Sequence, residues 1–231
     1  MNRVLVVGGS GKLGRAVATR LALRGEAVIL AARDQDKLRA AVDEISARVP
    51  GAVLTTMYID LCNWETVRKA VEALRKGNQP LRAVINCAAG FYKGPFETIP
   101  LETLEAVVNA NYVGSVCLLR LSVDLLVPSK EGVATDFVNI TSISSATSLD
   151  IVRSSAPHIA SKAALEIFDK VVGRELAKKG IRVTTVAPDT LVQGQDGGVQ
   201  IQDVAALITG LLDLPAGIRL ETLVVARVWG G

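Results

Sequence analysis

Aromatic side chains make up only 4% of the 231 residues, and the chain carries three cysteines and a single histidine. Scarce rings argue against a base-stacking surface, which needs several of them exposed along a basic groove. A preponderance of one charge is also missing: 26 Lys+Arg stand against 23 Asp+Glu, a formal +3, with no block of like charges. The electrostatic footprint of a nucleic-acid binder is therefore absent, and no such partner is expected. The most apolar long stretch, 116–127, is interrupted by Arg120 and Asp124. No apolar run of bilayer length is expected, and no membrane partner. At the amino end Met1-Asn2-Arg3 leads straight into Val4 and then glycines, too short an apolar segment for a secretory signal. Cys62, Cys87 and Cys117 are odd in number and lack C-x-x-C spacing; Cys87 and Cys117 sit in apolar contexts where an inert buried thiol is the usual reading. A reducing, cytoplasmic location is expected.

What the sequence has is alternation. Short β-branched runs recur at 4–7, 27–32, 53–59, 83–87, 137–141, 182–186 and 223–225. Helical periods lie between them: Leu13, Val17, Leu21 and Leu23 form one apolar stripe, Leu38, Val42 and Ile45 another, and 66–76, 101–127, 158–179 and 202–214 continue the series. Near-continuous apolar strands alternating with amphipathic helices predict an α/β fold, a doubly wound parallel sheet in a single domain spanning 1–231. The glycine-rich 193–198 reads either as a mobile loop near a site or as a plain turn.

Directly after the first run stands Gly8-Gly9-Ser10-Gly11-Lys12-Leu13-Gly14, with G-x-G-x-x-G at Gly9, Gly11 and Gly14. Between a strand and a helix, such glycines let the backbone turn tightly and approach a pyrophosphate, whose charge is met by the helix start. The second run ends at Ala32, where an acidic residue would hold the ribose 2′-hydroxyl of NAD. Arg33 follows, able to pair with a 2′-phosphate, and Lys12 adds positive charge, so NADP is the expected cofactor. Asp34 takes the acidic role only if the register slips.

From Val4 to about Val225 these residues resemble the short-chain dehydrogenase/reductase family. Val7 to Gly14 resembles its glycine loop, with Val7 and Lys12 as departures. Asp60-Leu61 is similar to the pair that contacts adenine, and Asn86-Cys87-Ala88-Ala89-Gly90 to the segment after the fourth strand, with Cys87 and Ala89 as departures. The resemblance implies that Asn86, Ala88, Pro188 and Leu191 belong to the cofactor site, the last two in Val186-Ala187-Pro188-Asp189-Thr190-Leu191-Val192. It also implies that Asn111 supports a proton relay and that Ser142 hydrogen-bonds a substrate oxygen; a helix-kink asparagine and a capping serine are the plainer readings. Asp189 stands for a glycine, adding charge and lacking glycine's access to positive φ.

Pro157-His158-Ile159-Ala160-Ser161-Lys162 resembles the family's Y-x-A-S-K, with His158 where the proton-transferring tyrosine stands. In that reading Lys162 binds the nicotinamide ribose and, one turn away, disfavours the charged form of His158. A lone histidine also serves as a packing residue. Only nine residues separate Val192 from Gln202, a shortened substrate loop near 193–201 that leaves the site open or covered by a partner. The expected function is an atypical NADP-dependent oxidoreductase of a small carbonyl or alcohol, with Asn111, Ser142, His158 and Lys162 catalytic. A non-redox lyase, dehydratase, cyclase or isomerase using His158, and an NADP-binding pseudoenzyme, stand as alternatives. A small-molecule substrate and a homo-oligomer, dimer or tetramer, are implied by the resemblance, and no metal is expected. Residues 91–96, 144–157 and the shortened loop would define the substrate.

Overall fold

β1, Arg3–Val7, is flanked on both sides by parallel neighbours: β2, Ala27–Ala32, with Val7 opposite Ala31, and β4, Ala83–Asn86, with Val7 opposite Asn86. Such a strand has no face or edge in water, which is why it reads as an unbroken apolar run. The computed structural model describes residues 3–126, 128, 132–146, 155–194 and 197–227. Outward from β2 lies β3, Leu54–Tyr58; outward from β4 lie β5, Thr135–Ile140, β6, Ile181–Pro188, and, after two short strands, β9, Thr222–Val225. The seven strands run in the order β3-β2-β1-β4-β5-β6-β9, every pair parallel. The order reverses between β1 and β4, and at that switch point the carboxyl ends of an open parallel sheet leave a crevice. This is the expected doubly wound architecture.

Helices α1, Lys12–Leu23, α2, Gln35–Arg48, and α8, Ile201–Leu211, cover one face, where Val17, Leu21, Leu38, Ile45, Val204 and Ile208 join a core with Val6 and Leu30. On the other face α3, Trp64–Lys76, and α5, Gly114–Leu126, pack Val67, Val71, Leu118 and Leu119 against Leu5, Ile29, Val84 and Phe137. After the short α6, Ile143–Ala146, α7, Ala156–Ala177, closes that layer against β6. Between β7, Leu191–Val192, and β8, Val199–Gln200, a two-stranded parallel ribbon occupies part of the shortened loop, residues 195 and 196 lying outside the described part.

One expectation needs correction. α4, Leu101–Val108, a π-helical turn, Asn109–Val113, and α5 form one continuous 26-residue helical run that is long and apolar enough, on length and composition, to cross a bilayer. Arg120 and Asp124 do not interrupt it, because both sit on its exposed side while Leu118, Leu119, Ser122 and Leu125 face the core.

The C-terminal end of α8 and the turn after it are held by three arginines from distant elements. Arg24 donates to the Thr209 carbonyl at 2.7 Å, Arg82 to that of Leu212, and Arg182 to that of Leu214 at 2.8 Å. Arg182 is itself locked by a bidentate pair with buried Asp136, at 2.8 and 2.9 Å. The carbonyls at a helix end have no intrahelical donors, and these guanidinium groups supply them.

Candidate active site

The glycine loop bends back on itself so that the Gly8 carbonyl accepts the Gly11 N–H at 2.9 Å, and Gly8 adopts φ +79°. A Cβ at Gly8 would fall 2.6 Å from the Ala88 nitrogen, and one at Gly14 would collide with the Gly8 carbonyl oxygen. Gly11 caps α1 with no side-chain hydrogen bond and no acidic residue follows in the first turn. By contrast α2 is capped by Asp34 and α3 by Asn63. The start of α1 thus keeps its N–H groups and positive dipole end for an anion.

In front of this loop lies a cleft of about 800 Å³, lined by Gly8, Ser10, Gly11, Arg33, Asp60 and Leu61 among others, Ala88 included. Asp34 also borders it, but its Oδ1 accepts the Lys37 N–H at 3.0 Å and its Oδ2 pairs with Lys37 Nζ at 2.9 Å. These bonds to Lys37 hold its carboxyl below the usual range. Arg33 is exposed on the cleft wall, with Lys37 beside it. Lys12 is exposed but does not line the cleft. Gly9 and Gly14 shape the loop from behind, and Leu13 reaches the second cavity. Asn86 is also behind the wall, 1% exposed: its Oδ1 accepts the Ala88 N–H at 3.2 Å and its Nδ2 donates to Ser115 Oγ and Asn139 Oδ1, both at 2.9 Å.

The second cavity, about 550 Å³, adjoins the first through Cys87, Ala89 and Phe91, which line both. Ser142, His158, Lys162, Pro188 and Leu191 meet in it. Ser142 follows β5, and its Oγ accepts the Ser144 N–H at 3.3 Å, leaving its own hydrogen to donate. Lys162, 1% exposed on α7, donates from Nζ to the Ile140 carbonyl at 2.7 Å. Burial pushes it down to about 8, against the opposing pull of Asp169. Burial likewise pushes the Cys87 thiol up to about 12, so it is a protonated wall rather than a nucleophile.

His158 is held from one side. Its Nδ1 lies 3.0 Å from the Gly90 carbonyl, and Phe91 meets its ring edge-on at 5.2 Å between centroids. Burial lowers its pKa, the Gly90 bond opposes this, and the Lys162 charge lowers it further. Asn111 stands beneath in the π-helical turn, fully buried rather than lining the cavity. Its Oδ1 accepts the Gly90 N–H at 2.8 Å, and its Nδ2 donates to the Gly90 carbonyl at 3.0 Å and to Ser161 Oγ at 3.1 Å. The π-turn rotates this residue out of helical register, aiming it at the loop after β4.

Asp189 differs from its expectation. It keeps a negative φ, needs no glycine, and pairs through Oδ2 with Arg227 at 3.3 Å, so its charge is compensated. Substrate-defining residues within 147–154 lie outside the described part. Asp169, which lines neither cavity but opposes the charge of Lys162 from beneath, is a residue that motif reading missed. It is 1% exposed, accepts both Asn139 Nδ2 contacts at 2.9 and 3.1 Å and the Thr185 hydroxyl at 3.1 Å, and burial pushes it up to about 7. Its spacing of seven from Lys162, two turns along one helix face, is the signal that could have found it. Among the described residues no metal-ligating group occurs.

The chain is similar to known proteins of one family. Residues 2–194 match the family model described as short chain dehydrogenase. An uncharacterized oxidoreductase of Staphylococcus saprophyticus is 26% identical over 97% of this chain and 96% of its own length, and one of Staphylococcus aureus is 25% identical over 98% of each. Among solved structures, a metagenomic short-chain oxidoreductase in complex with NADP superposes with a TM-score of 0.84 at 24% identity, over 99% of this chain and 98% of that one. An alcohol dehydrogenase from the archaeon Thermococcus sibiricus, complexed with 5-hydroxy-NADP, does so with 0.85 at 21% identity, over 100% and 98%.

Proposed function

Because the chain belongs to the short-chain dehydrogenase family, we propose that it is an NADP-dependent oxidoreductase interconverting a small alcohol and its carbonyl compound, with His158 in the proton-transfer position. The observation that carries this reading is the continuity of the two cavities: a path runs from Arg33 past the glycine loop to Ser142, His158 and Lys162. A dinucleotide is the ligand class that spans such a path, and the uncapped start of α1, carried by a loop that closes only with glycine at Gly8 and Gly14, fits its pyrophosphate. With Asp34 engaged by Lys37, the cleft wall offers Arg33 and Lys37 to a 2′-phosphate, in agreement with the NADP bound by the two similar structures.

When bound, the cofactor supplies the two-electron chemistry. Arg33 and Lys37 hold its phosphate end, Asp60 and Leu61 border the adenine part of the cleft, and Pro188 and Leu191 wall the far end. Lys162 offers the remaining hydrogens of its ammonium to ribose hydroxyls while Ile140 fixes its position. Ser142 donates to the substrate oxygen, and His158 exchanges the substrate's proton. Asn111 acts as a positioning residue by fixing Gly90, which in turn fixes His158.

The test is a side-by-side calorimetric titration with NADPH, NADP⁺, NADH and NAD⁺. Micromolar binding of the NADP pair with much weaker binding of the NAD pair is expected; binding of none by folded protein overturns the reading. A second reading, a non-redox lyase, dehydratase, cyclase or isomerase, draws on the imidazole that replaces a phenol. Deuterium passing from labelled NADPH into product separates the two. We also place a homo-oligomeric contact on the outer face of the π-helical turn and α7, where Val113, Ile167 and Val171 are 41, 62 and 66% exposed, and a cytoplasmic location on the three free thiols. Light scattering and fractionation test these.

A further inference from the structure

The hydrogens around Gly90 can be assigned one by one. The Gly90 carbonyl lies 3.0 Å from both Asn111 Nδ2 and His158 Nδ1. A carbonyl oxygen only accepts, so each of those nitrogens carries a hydrogen toward it, and its two lone pairs are filled. Ser161 Oγ donates to the His158 carbonyl at 2.9 Å and therefore receives the second Asn111 Nδ2 hydrogen, at 3.1 Å. Asn111 Nδ2 has now spent both hydrogens. Its remaining approach to His158 Nδ1, at 3.4 Å, faces one donor with another and is not a hydrogen bond.

We infer that His158 is fixed as the Nδ1–H tautomer, so that the ring nitrogen left for the cavity, Nε2, is a bare lone pair, and that the site consequently recognises the hydroxyl of an alcohol and removes its proton. The inference deepens the oxidoreductase reading and rests on it for the identity of the reaction. A phenol in this position carries a hydrogen to give; a neutral imidazole pinned through Nδ1 has none. Two observations keep the ring neutral: it is largely enclosed, and the Lys162 ammonium lies on the same helix one turn away. Ser142 complements it, because a substrate hydroxyl oxygen accepts from Ser142 while its own hydrogen points to Nε2. A carbonyl substrate meets only one donor, Ser142, and a repulsive lone pair at Nε2.

The corresponding step balances as a two-electron oxidation. The O–H bond breaks and its proton passes to Nε2, giving an imidazolium; the carbon-bound hydrogen leaves as hydride to an oxidised nicotinamide dinucleotide; the carbon and oxygen become a carbonyl.

His158 is the only histidine in the chain, so protein grown on ring-labelled ¹⁵N-histidine gives two nitrogen resonances that need no further assignment to a residue. At neutral pH and without nucleotide, Nδ1 is expected at the position of a protonated nitrogen and Nε2 at that of a bare one. Titration with trifluoroethanol, a small strong hydroxyl donor, is expected to shift Nε2 and leave Nδ1 in place, while acetone leaves both unchanged. A protonated Nε2 at neutral pH, a response to acetone alone, or a response to neither overturns the inference. Because no nucleotide is present, failure here leaves the calorimetric test of NADP binding untouched, and failure of that test leaves the tautomer measurable.

Discussion

Asn111 grips Gly90 at both of its backbone polar groups, accepting its N–H at 2.8 Å and donating to its carbonyl at 3.0 Å. Two segments 21 residues apart are thereby held as a miniature ladder on the wall of the larger cleft. Asn111→Leu removes both bonds and leaves a half-buried N–H without its partner. A loss of ~2–4 kcal/mol in denaturant unfolding is expected, with the two His158 nitrogen resonances losing their distinct positions.

Arg33→Ser removes the guanidinium from the cleft wall and leaves the glycine loop alone. A charge-assisted bond of ~1.5–3 kcal/mol corresponds to a fall of roughly 10- to 100-fold in affinity for NADP(H), with NAD(H) affinity changed little. Calorimetry on both pairs reads the difference.

Gly14→Ala forces a Cβ into the Gly8 carbonyl, and backbone cannot swing aside as a long side chain does. Overpacking of this kind costs about 1–3 kcal/mol. Here the relief available is opening of the loop, so dinucleotide binding should fall further than thermal stability does; calorimetry beside a thermal melt checks this.

Arg182→Leu leaves Asp136 buried without its hydrogen-bonded partner, with only the charge of Arg82 nearby, and takes a donor from the carbonyls after α8. Breaking one side of such a pair costs about 3–5 kcal/mol. The double variant with Asp136→Leu should lose less than Arg182→Leu alone, because no orphan charge remains; denaturant unfolding of the set measures the coupling.

Stability should also depend on pH through Asp169 and Lys162. Asp169 is raised from 3.8 to about 7, so its contribution is complete below the unfolded value and is lost as pH rises through about 7. Lys162 is lowered from 10.5 to about 8, so its contribution is complete above the unfolded value and is lost as pH falls through about 8. Together they place a minimum between about pH 7 and 8. In Asp169→Asn the falling acid-side arm should vanish, and Lys162, deprived of its counter-charge, should titrate still lower; unfolding midpoints across the pH range and the Lys162 Nζ resonance check both.

The sheet was legible because its strands are buried on both faces: all six residues of β2 are enclosed, and an apolar run is the only sequence such a strand tolerates. β3 shows the limit, since Thr55, Thr56 and Tyr58 are exposed at the edge and only β-branching and position mark it. The glycine loop and Arg33 were legible for a different reason: they act within a few residues of one another, so spacing encodes geometry. The arrangement around His158 was not, because its partners Asn111 and Gly90 lie 47 and 68 residues away and meet only once β4, the π-turn and α7 are packed. The helical period over 101–127 was legible, but counting Arg120 and Asp124 as breaks hid that it is apolar enough to reach bilayer length, because their place on its outer side depends on what it packs against.

The arginine grip on the end of α8 bears on how the chain is made. α1 and α8 share one core, and Arg24 reaches the Thr209 carbonyl across 185 positions of sequence. During synthesis Leu13, Val17 and Leu21 emerge long before the helix that covers them. Closure over such a separation is slow, and until α8 emerges the nascent chain carries an open apolar stripe. A ribosome paused before residue 201 would therefore present a chain that chaperones bind, and release from them would coincide with the docking of α8.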